Sequence, residues 1–326
     1  MLRLFKLAAA LSLVTLTVPE ANAQDAYPSR PVRMMVSFAA GGPTDIVARV
    51  MSAKMSELLN QQFVVENRTG AGGNTGAAEI AKAPADGYNL LMATVSTHAI
   101  NPHYYKKIPY DALKDFTAVG QVGVTPILLV VHPSVPAKDA KELAALTKAN
   151  PGKYTYGSSG VGSILHLCGE QFKTLAGGLD ITHVPYRGSS ALMKDLIGGQ
   201  ISMAFDATPS AGPQVESGAI RALGGGMLQR LRTLPNLPTM DEQGYKGFDC
   251  YTWNAILAPT GTPQPVLERL SGAVQTAMKD PAVFKRLQEV GVDPTPGRGP
   301  KEATAFMQAE FAKWGPIVKM SGAQAD

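Results

Sequence analysis

Short apolar runs alternate along this chain with stretches of helical periodicity, and glycine-rich turns join the two. An apolar run over 32–38 is typical of a buried parallel strand, and Gly41-Gly42-Pro43-Thr44-Asp45 follows it before apolar residues recur at helical spacing from Ile46 to Leu59. Further apolar runs occupy 63–65, 89–94, 127–131, 154–156, 201–205, 220–223 and 253–258, and helical patterns occupy 77–83, 138–149, 264–279, 281–290 and 301–318. This alternation predicts an α/β fold, with parallel sheets covered by helices.

Composition excludes several classes of protein. The 326 residues suffice for two domains, and 45% hydrophobic with 17% charged residues gives a core without a sign of disorder. The net charge of +4 is spread along the chain, and five His with two Cys cannot form a Cys-rich zinc module. We therefore expect no metal, no cofactor and no nucleic-acid partner.

The first 23 residues have the pattern of a secretory signal peptide. Arg3 and Lys6 precede an apolar stretch over 7–18, and Ala21-Asn22-Ala23 follows as a small-residue cleavage site. We expect cleavage after Ala23 and an exported chain with no stable membrane insertion; the alternative is an uncleaved anchor helix. In an oxidising compartment Cys168 and Cys250 can pair, whereas Cys168 also suits the apolar face of a helix as a buried thiol.

Two glycine-rich turns, at 41–45 and 157–163, each lie between a predicted strand and a predicted helix. Open α/β sheets bind ligands at such turns, and two turns on different sheets can face one another across a cleft. The free N–H groups and the dipole of a helix N-terminus hold a carboxylate or phosphate without Arg or Lys. The alternative is that these are compact turns in which Ser, Thr and Asp act as helix caps.

Two strand ends carry polar residues that suit either a ligand or a turn. Thr94-Val95-Ser96-Thr97 ends one predicted strand, and Asp206 ends another. Their side chains can face the cleft, or they can stabilise the turns that follow.

Enzyme motifs are incomplete in this chain. The segment from Gly70 has Thr75 where a dinucleotide-binding G-x-G-x-x-G requires its third glycine. Ser159 or Ser163 with His166 offers a nucleophile and a base, but no orienting acid is evident. A secreted serine hydrolase is therefore the competing hypothesis.

A set of short motifs spans nearly all of the chain after the signal peptide. The motifs are YPSRPVR (27–33), FAAGGPTD (38–45), VENRTGAGG (65–73), PADGY (84–88), VPYRG (184–188), LPTMDE (237–242), APTGTP (258–263) and KW (313–314). Taken together, they resemble the Bug receptors, the TctC-type periplasmic substrate-binding proteins of tripartite tricarboxylate transporters. Thr69 departs from the proline that is common there, outside the expected pocket.

This resemblance implies an α/β fold of the type II periplasmic binding protein class, with two α/β domains of parallel-rich sheets joined by two crossing hinge segments. We place the crossings near 123–126 and 250–256. Domain 1 is then discontinuous, comprising 24–124 and 253–326, and domain 2 comprises 125–252.

The resemblance also implies a monomeric periplasmic receptor rather than an enzyme. Such a receptor captures a small aliphatic or aromatic mono- or dicarboxylate and delivers it to a membrane transporter; a ligand sensor for a signalling partner would share the pocket. Main-chain amides of the two turns and ordered waters are expected to hold the carboxylate, with Thr94–Thr97 and Asp206 near its distal part. The candidate ligand-binding residues are Phe38, Ala40, Gly41, Thr44, Asp45, Thr94, Ser96, Thr97, Ser158, Ser159, Gly160, Val161, Gly162, Ser163 and Asp206.

Overall fold

Strands and helices alternate as the apolar pattern predicts, in a computed structural model that describes residues 27–320. The first elements are β1 (Val32–Val36), α1 (Pro43–Leu59), β2 (Phe63–Asn67), α2 (Asn74–Ala81), β3 (Asn89–Thr94), α3 (Asn101–Tyr104), β4 (Phe116–Val131), α4 (Ala140–Ala149), β5 (Thr155–Ser158) and α5 (Ile164–Leu175). The remaining elements are β6 (Thr182–Pro185), α6 (Ser189–Ile197), β7 (Met203–Ala207), α7 (Thr208–Glu216), β8 (Arg221–Gly225), β9 (Tyr251–Pro259), α8 (Gln264–Lys279), α9 (Pro281–Glu289), β10 (Asp293–Pro294) and α10 (Pro300–Met320). The predicted signal peptide, 1–23, lies outside the described residues.

The 16-residue strand β4 belongs to two sheets. Its first part pairs with β9 and β10, in a sheet of order β2-β1-β3-β9-β4-β10. From Ile127 onward it pairs with β7 and β8, in a sheet of order β8-β4-β7-β5-β6. One strand therefore carries the chain from one sheet into the other.

The pairing within these sheets is mixed. β1 runs parallel to β2 and β3, and β5 runs parallel to β6 and β7, as expected for strands joined through helices. β4 and β9 run antiparallel to each other. A chain that leaves the first sheet along β4 and returns along β9 must reverse its direction, which explains the antiparallel pairs.

Two lobes follow from this pairing. We call 27–126 with 251–320 the first lobe and 127–250 the second. The partners of β4 change between Pro126 and Ile127, and the chain returns just after Cys250, whose N–H donates to the carbonyl oxygen of Gly226. The exact domain boundaries at 124–125 and 252–253 stay predictions.

Covalent and polar contacts fix the return crossing. The structure joins Cys168 of α5 to Cys250 in a disulfide with a Cα–Cα distance of 6.0 Å, and so decides between the two alternatives left open by the sequence. Just beyond it, the buried carboxylate of Glu310 on α10 accepts hydrogen bonds from Tyr251 Oη, Trp253 Nε1 and Trp314 Nε1. Helix α10 is thereby held against the start of β9.

Within 27–320, the helices lack the combination of length and apolar character that crossing a membrane requires.

Candidate functional site

A cavity lies between the lobes at the ends of their strands. Its lining residues are Phe38, Gly42, Pro43, Thr44, Thr94, Ser96 and Thr252 from the first lobe, and Ser159, Ile164, Leu165, Ser189 and Ala207 from the second. No Lys, Arg, Asp or Glu is among these described lining residues. The space open to the centre of a water-sized molecule is about 30 Å³, so the cavity is narrow in this conformation.

Helix α1 begins at this cavity with its first N–H groups uncapped. Gly42 is extended at the N-cap position and provides no side-chain cap, and Pro43 opens the helix. The N–H groups of Thr44 and Asp45 have no intrahelical acceptor because they lie in the first turn. They are therefore available to a bound acceptor in the cleft.

Three helices of the second lobe also begin at the cavity. Helix α5 starts at Ile164, helix α6 starts at Ser189 without a side-chain cap, and helix α7 follows Ala207, also without one. Each N-terminus adds partial positive charge. Four helix N-termini from two lobes thus surround a space that contains no charged side chain.

The cleft is closed by direct hydrogen bonds between the lobes. Ser190 Oγ donates to the carbonyl oxygen of Ala40 at 2.6 Å, and Tyr105 Oη donates to that of Val161 at 2.8 Å. The N–H of Ile164 donates to Ser96 Oγ at 3.0 Å. These bonds can form only while the lobes are in contact.

Backbone segments also meet across the cleft at Gly72. A Cβ atom at this position would lie 2.7 Å from the carbonyl oxygen of Val161 and 3.2 Å from Tyr105 Oη. The glycine therefore allows the segment before α2 to approach the turn before α5 closely.

Five of the predicted site residues line the cavity. They are Phe38, Thr44, Thr94, Ser96 and Ser159. The other ten do not line it, and most of them build the turns or the cleft mouth.

Asp45 stabilises the first turn rather than lining the cavity. Its buried carboxylate accepts hydrogen bonds from the N–H of Gly41 at 2.9 Å, from Arg49 Nε at 2.8 Å and from Asn67 Nδ2 at 3.0 Å. Burial acts to raise the pKa of Asp45, but these donors together lower it below its ordinary value. The N–H of Gly41 is consequently occupied, and Ala40 lies at the cleft mouth.

The second turn is held from behind by polar side chains. Ser158 Oγ lies 2.7 Å from His183 Nε2 and accepts from the N–H of Gly160 at 3.2 Å, and Ser163 caps α5. The N–H of Gly162 donates to a ring nitrogen of His166. Val161 remains at the cleft mouth, where its carbonyl oxygen contacts the opposite lobe.

Thr97 lies in the interior of the first lobe. Its hydroxyl donates to the carbonyl oxygen of Thr94 at 3.2 Å and lies 2.9 Å from His98 Nδ1. It therefore shapes the end of β3.

Asp206 lies directly behind the cavity. One carboxylate oxygen accepts from Ser189 Oγ at 2.7 Å and from the N–H of Ala207 at 2.9 Å, and the other accepts from Ser210 Oγ at 2.5 Å. Complete burial raises the pKa of Asp206 to about 6, although these three donors act to lower it. Asp206 therefore orients the lining residue Ser189.

The nucleophile–base pairs of the hydrolase hypothesis do not form in the described part of the chain. Ser163 Oγ accepts the backbone N–H of His166 at 3.3 Å, so this serine is a helix cap. The Nδ1 atom of His166 accepts from Gly162, and burial lowers the pKa of His166. Ser159 lines the cavity without a hydrogen bond to either of these side chains.

Seven lining residues are absent from the candidate set: Gly42, Pro43, Ile164, Leu165, Ser189, Ala207 and Thr252. Gly42 and Pro43 nevertheless lie within the predicted binding turn at 41–45, so sequence reasoning missed the other five. Ser189 had a readable signal, because Gly188 and Ser189 follow a strand and open a helix as the two predicted turns do. Thr252 falls within the predicted second crossing. Ile164 and Leu165 follow the second turn, but their apolar side chains indicated only core.

Comparison with known proteins assigns the family. A family model described as the tripartite tricarboxylate transporter family receptor, TctC, matches residues 47–323. The chain is 35% identical to the protein BugT of Bordetella pertussis over 301 residues, which cover 92% of each chain. The chain belongs to the TctC receptor family. The predicted resemblance to Bug and TctC proteins is confirmed.

Two solved structures of similar proteins contain organic acids. An R. palustris protein, Rpa4515, with adipate is 36% identical, has a TM-score of 0.88, and covers 91% of this chain and 99% of its own. MatC from Rhodopseudomonas palustris with bound malate is 32% identical, has a TM-score of 0.86, and covers 90% of this chain and 100% of its own. The structure of the periplasmic binding protein BugD is also 36% identical, has a TM-score of 0.89, and covers 92% of this chain and 100% of its own. These matches confirm the α/β periplasmic binding protein fold of this TctC receptor.

Proposed function

We propose that this receptor binds a small organic acid in the cleft and holds its carboxylate with backbone N–H groups of the helix N-termini. The convergence of four such termini on a cavity without charged side chains is the observation that carries this proposal. Adipate and malate in the two similar structures support the same ligand class. Capture of an anion then requires no salt bridge.

Binding and closure are coupled in this proposal. A ligand that contacts both lobes gains all of its contacts only in the closed form, so it shifts the population toward closure. The closed form then presents one composite surface to the membrane transporter. The receptor acts by binding and release, without turnover of its ligand.

The proposed ligand-binding residues are taken from those that line the cavity between the lobes. We propose Phe38, Thr44, Thr94, Ser96 and Ser159 as direct contacts from the predicted set, with Ser189 and Thr252 added. Asp45, Ser158 and Ser163 shape the turns. We further propose cleavage after Ala23 and a monomeric mature receptor, which the signal sequence and the family's receptor role support.

A thermal-shift screen of the mature protein tests the proposal. The panel contains C4–C6 dicarboxylates, tricarboxylates, aromatic acids and acidic amino acids, each paired with its uncharged amide. A ligand that binds the folded state raises the melting temperature with concentration. We expect such a rise for one class of acid and none for its amide, with the acid recovered unchanged. No rise with any acid, or consumption of the acid, contradicts the proposal.

A further inference from the structure

Two histidine rings are stacked behind the second glycine-rich turn, at 157–163. The ring centroids of His166 on α5 and His183 on β6 lie 4.3 Å apart. The N–H of Gly162 donates to His166 Nδ1 at 3.3 Å, and Ser158 Oγ lies 2.7 Å from His183 Nε2. Each ring therefore holds one end of the turn that leads into helix α5 at the cavity.

The acceptor that His166 presents to the turn exists in only one protonation state. Its Nδ1 atom accepts a hydrogen bond only while it carries no proton, so the neutral ring holds its proton on Nε2. A proton on Nδ1 turns this acceptor into a donor that faces the N–H of Gly162. The buried N–H group then loses its partner, and the turn cannot keep the position that it has in the closed cleft.

Residues of the first lobe cover His166 in the closed cleft. The ring of Tyr104 on α3 meets that of His166 edge-on, with the centroids 5.9 Å apart, and burial raises the pKa of Tyr104, so it faces the histidine uncharged. A Cβ atom at Gly162 would lie 3.0 Å from Tyr104 Cδ1 and 2.8 Å from Tyr105 Cε2. His166 is buried in this state, and opening of the cleft takes Tyr104 away from its ring and admits water.

Burial outweighs the charges that face the two histidines. Glu170 acts to raise the pKa of His166 and Lys173 acts to lower it, but burial is the largest effect and lowers it. The carboxylate of Glu170 is itself engaged, since it accepts hydrogen bonds from Lys173 Nζ at 3.0 Å and from Tyr156 Oη at 2.5 Å. Burial, with His166 adding to it, lowers the pKa of His183 to about 4. Both rings are therefore neutral at pH 7 in the closed cleft.

We propose that His166 is a positioning residue of the binding turn, and that its protonation opens the cleft and releases the ligand. Opening hydrates the ring and gives the N–H of Gly162 water as a partner, so the open form takes up a proton more readily than the closed form. A ligand that favours the closed form consequently expels this proton, and acid weakens ligand binding in return. The proposal rests on the proposed function, since it assumes that closure of the cleft binds an organic acid.

Calorimetric titration of the mature protein between pH 7.5 and pH 5.5 tests the proposal. Adipate and malate are titrated first, and the tightest-binding acid of the thermal-shift panel replaces them if neither binds. With the ordinary histidine pKa of about 6.5 in the open form, the affinity of the wild type falls by up to about tenfold over this range. Asp206 titrates in the same range, as does the acid itself, so a variant of His166 must supply the reference.

The variant H166N supplies this reference, because the amide oxygen of the new side chain replaces Nδ1 as an acceptor but takes up no proton. We expect the affinity of the wild type to fall about five- to tenfold more than that of H166N between pH 7.5 and pH 5.5. H166L has no acceptor, so at pH 7.5 it should bind about tenfold more weakly than the wild type and more weakly than H166N.

His132 provides the matched control for these variants. Its Nδ1 atom also accepts a backbone N–H, that of Ser134 at 3.2 Å, but His132 lies outside the described cavity lining. H132N should therefore leave both the Kd and its pH dependence unchanged.

Proton release gives a second readout that a merely structural role would not change. At pH 6, titration in buffers of different ionisation enthalpy should show that the wild type releases at least about half a proton more than H166N for each acid bound. Should H166N fail to fold, the Hε1 resonance of His166 in the wild type decides, because its pKa should be lower with the acid bound than without it.

Defined outcomes overturn the inference. If the wild type and H166N have parallel pH profiles and release equal numbers of protons, or if the pKa of His166 is the same in the free and the bound protein, the role of His166 is wrong while the proposed function stands. If no acid of the panel binds at pH 7.5, the proposed function fails and this inference fails with it.

Discussion

Replacing Gly72 by alanine should weaken ligand binding by blocking closure of the cleft. The new methyl group would lie 2.7 Å from the carbonyl oxygen of Val161 in the closed form, so the two segments must separate by about 0.7 Å to reach an ordinary contact. Overpacking of this kind costs about 1–3 kcal/mol, and the methyl also crowds Tyr105 Oη, which donates to Val161. A loss of about 2 kcal/mol in the closed form alone corresponds to roughly thirtyfold weaker binding.

Backbone strain provides the control for this experiment. Gly72 has a φ of +62° and Gly178 has a φ of +79°. A Cβ atom at position 178 would have no neighbour within 4 Å. An alanine in this left-handed region costs about 1–2 kcal/mol at either site. G72A and G178A should therefore both lower the melting temperature, but only G72A should raise the Kd measured by calorimetry. Equal Kd values for G72A, G178A and the wild type would refute the closure argument.

Three further predictions concern stability. Replacing both Cys168 and Cys250 by serine should lower the free energy of unfolding by about 4 kcal/mol, because the disulfide closes a loop of 82 residues. Denaturant unfolding measures this loss, and an unchanged denaturant concentration at the midpoint would contradict the prediction. Because burial raises the pKa of Asp206 to about 6, ionisation of this carboxyl group opposes folding. The free energy of unfolding of the wild type should therefore fall by up to about 3 kcal/mol relative to that of D206N as the pH rises from 4 to 7. If the free energies of unfolding of the two proteins change with pH in parallel, this prediction is wrong. E310A leaves the buried indole N–H groups of Trp253 and Trp314 and the half-buried hydroxyl of Tyr251 without their acceptor, and it should lower the free energy of unfolding by at least about 3 kcal/mol. E302A, on an exposed part of the same helix, should lower it by less than about 1 kcal/mol. Similar losses for the two variants in chemical denaturation would contradict the role of Glu310.

Much of the order of strands and helices was predictable because the apolar runs are short and some of them, such as 32–38 and 154–156, end in glycine-rich turns. The turn at 41–45 is an example of what local sequence alone can predict. Glycines after a buried strand and Pro43 before an apolar periodic stretch fix the start of α1, and with it one wall of the site. Local sequence is sufficient there because every contact involved lies within a few residues.

The role of Asp45 shows where prediction from local pattern was incomplete. Its position in the first turn suggested a site residue, yet its partners are Arg49, one turn later, and Asn67, at the end of a different strand. The pair with Arg49 could be read from the i to i+4 spacing. The contact with Asn67 depends on the pairing of β1 with β2, which no local pattern specifies.

The alignment of Thr125 with Thr252 depends entirely on long-range register. Thr125 and Thr252 are 127 positions apart, and their alignment depends on irregularities in the pairing of β4 with β9, between Ala118 and Gly120 and between Gln121 and Gly123. A shift of one residue would turn Thr125 to the other face of the sheet. The pattern of apolar residues in the sequence does not reveal such a shift. The positions of these residues relative to each other could therefore be learned only from the structure.

A crystal structure of the mature receptor with its tightest-binding acid tests the central claim most directly. The account predicts a closed cleft with one ligand carboxylate within hydrogen-bond distance of the N–H groups of Thr44 or Asp45 and of a helix N-terminus in the second lobe, with no Lys or Arg in contact. A carboxylate paired with an Arg or Lys, or an acid bound outside the cleft, would contradict it.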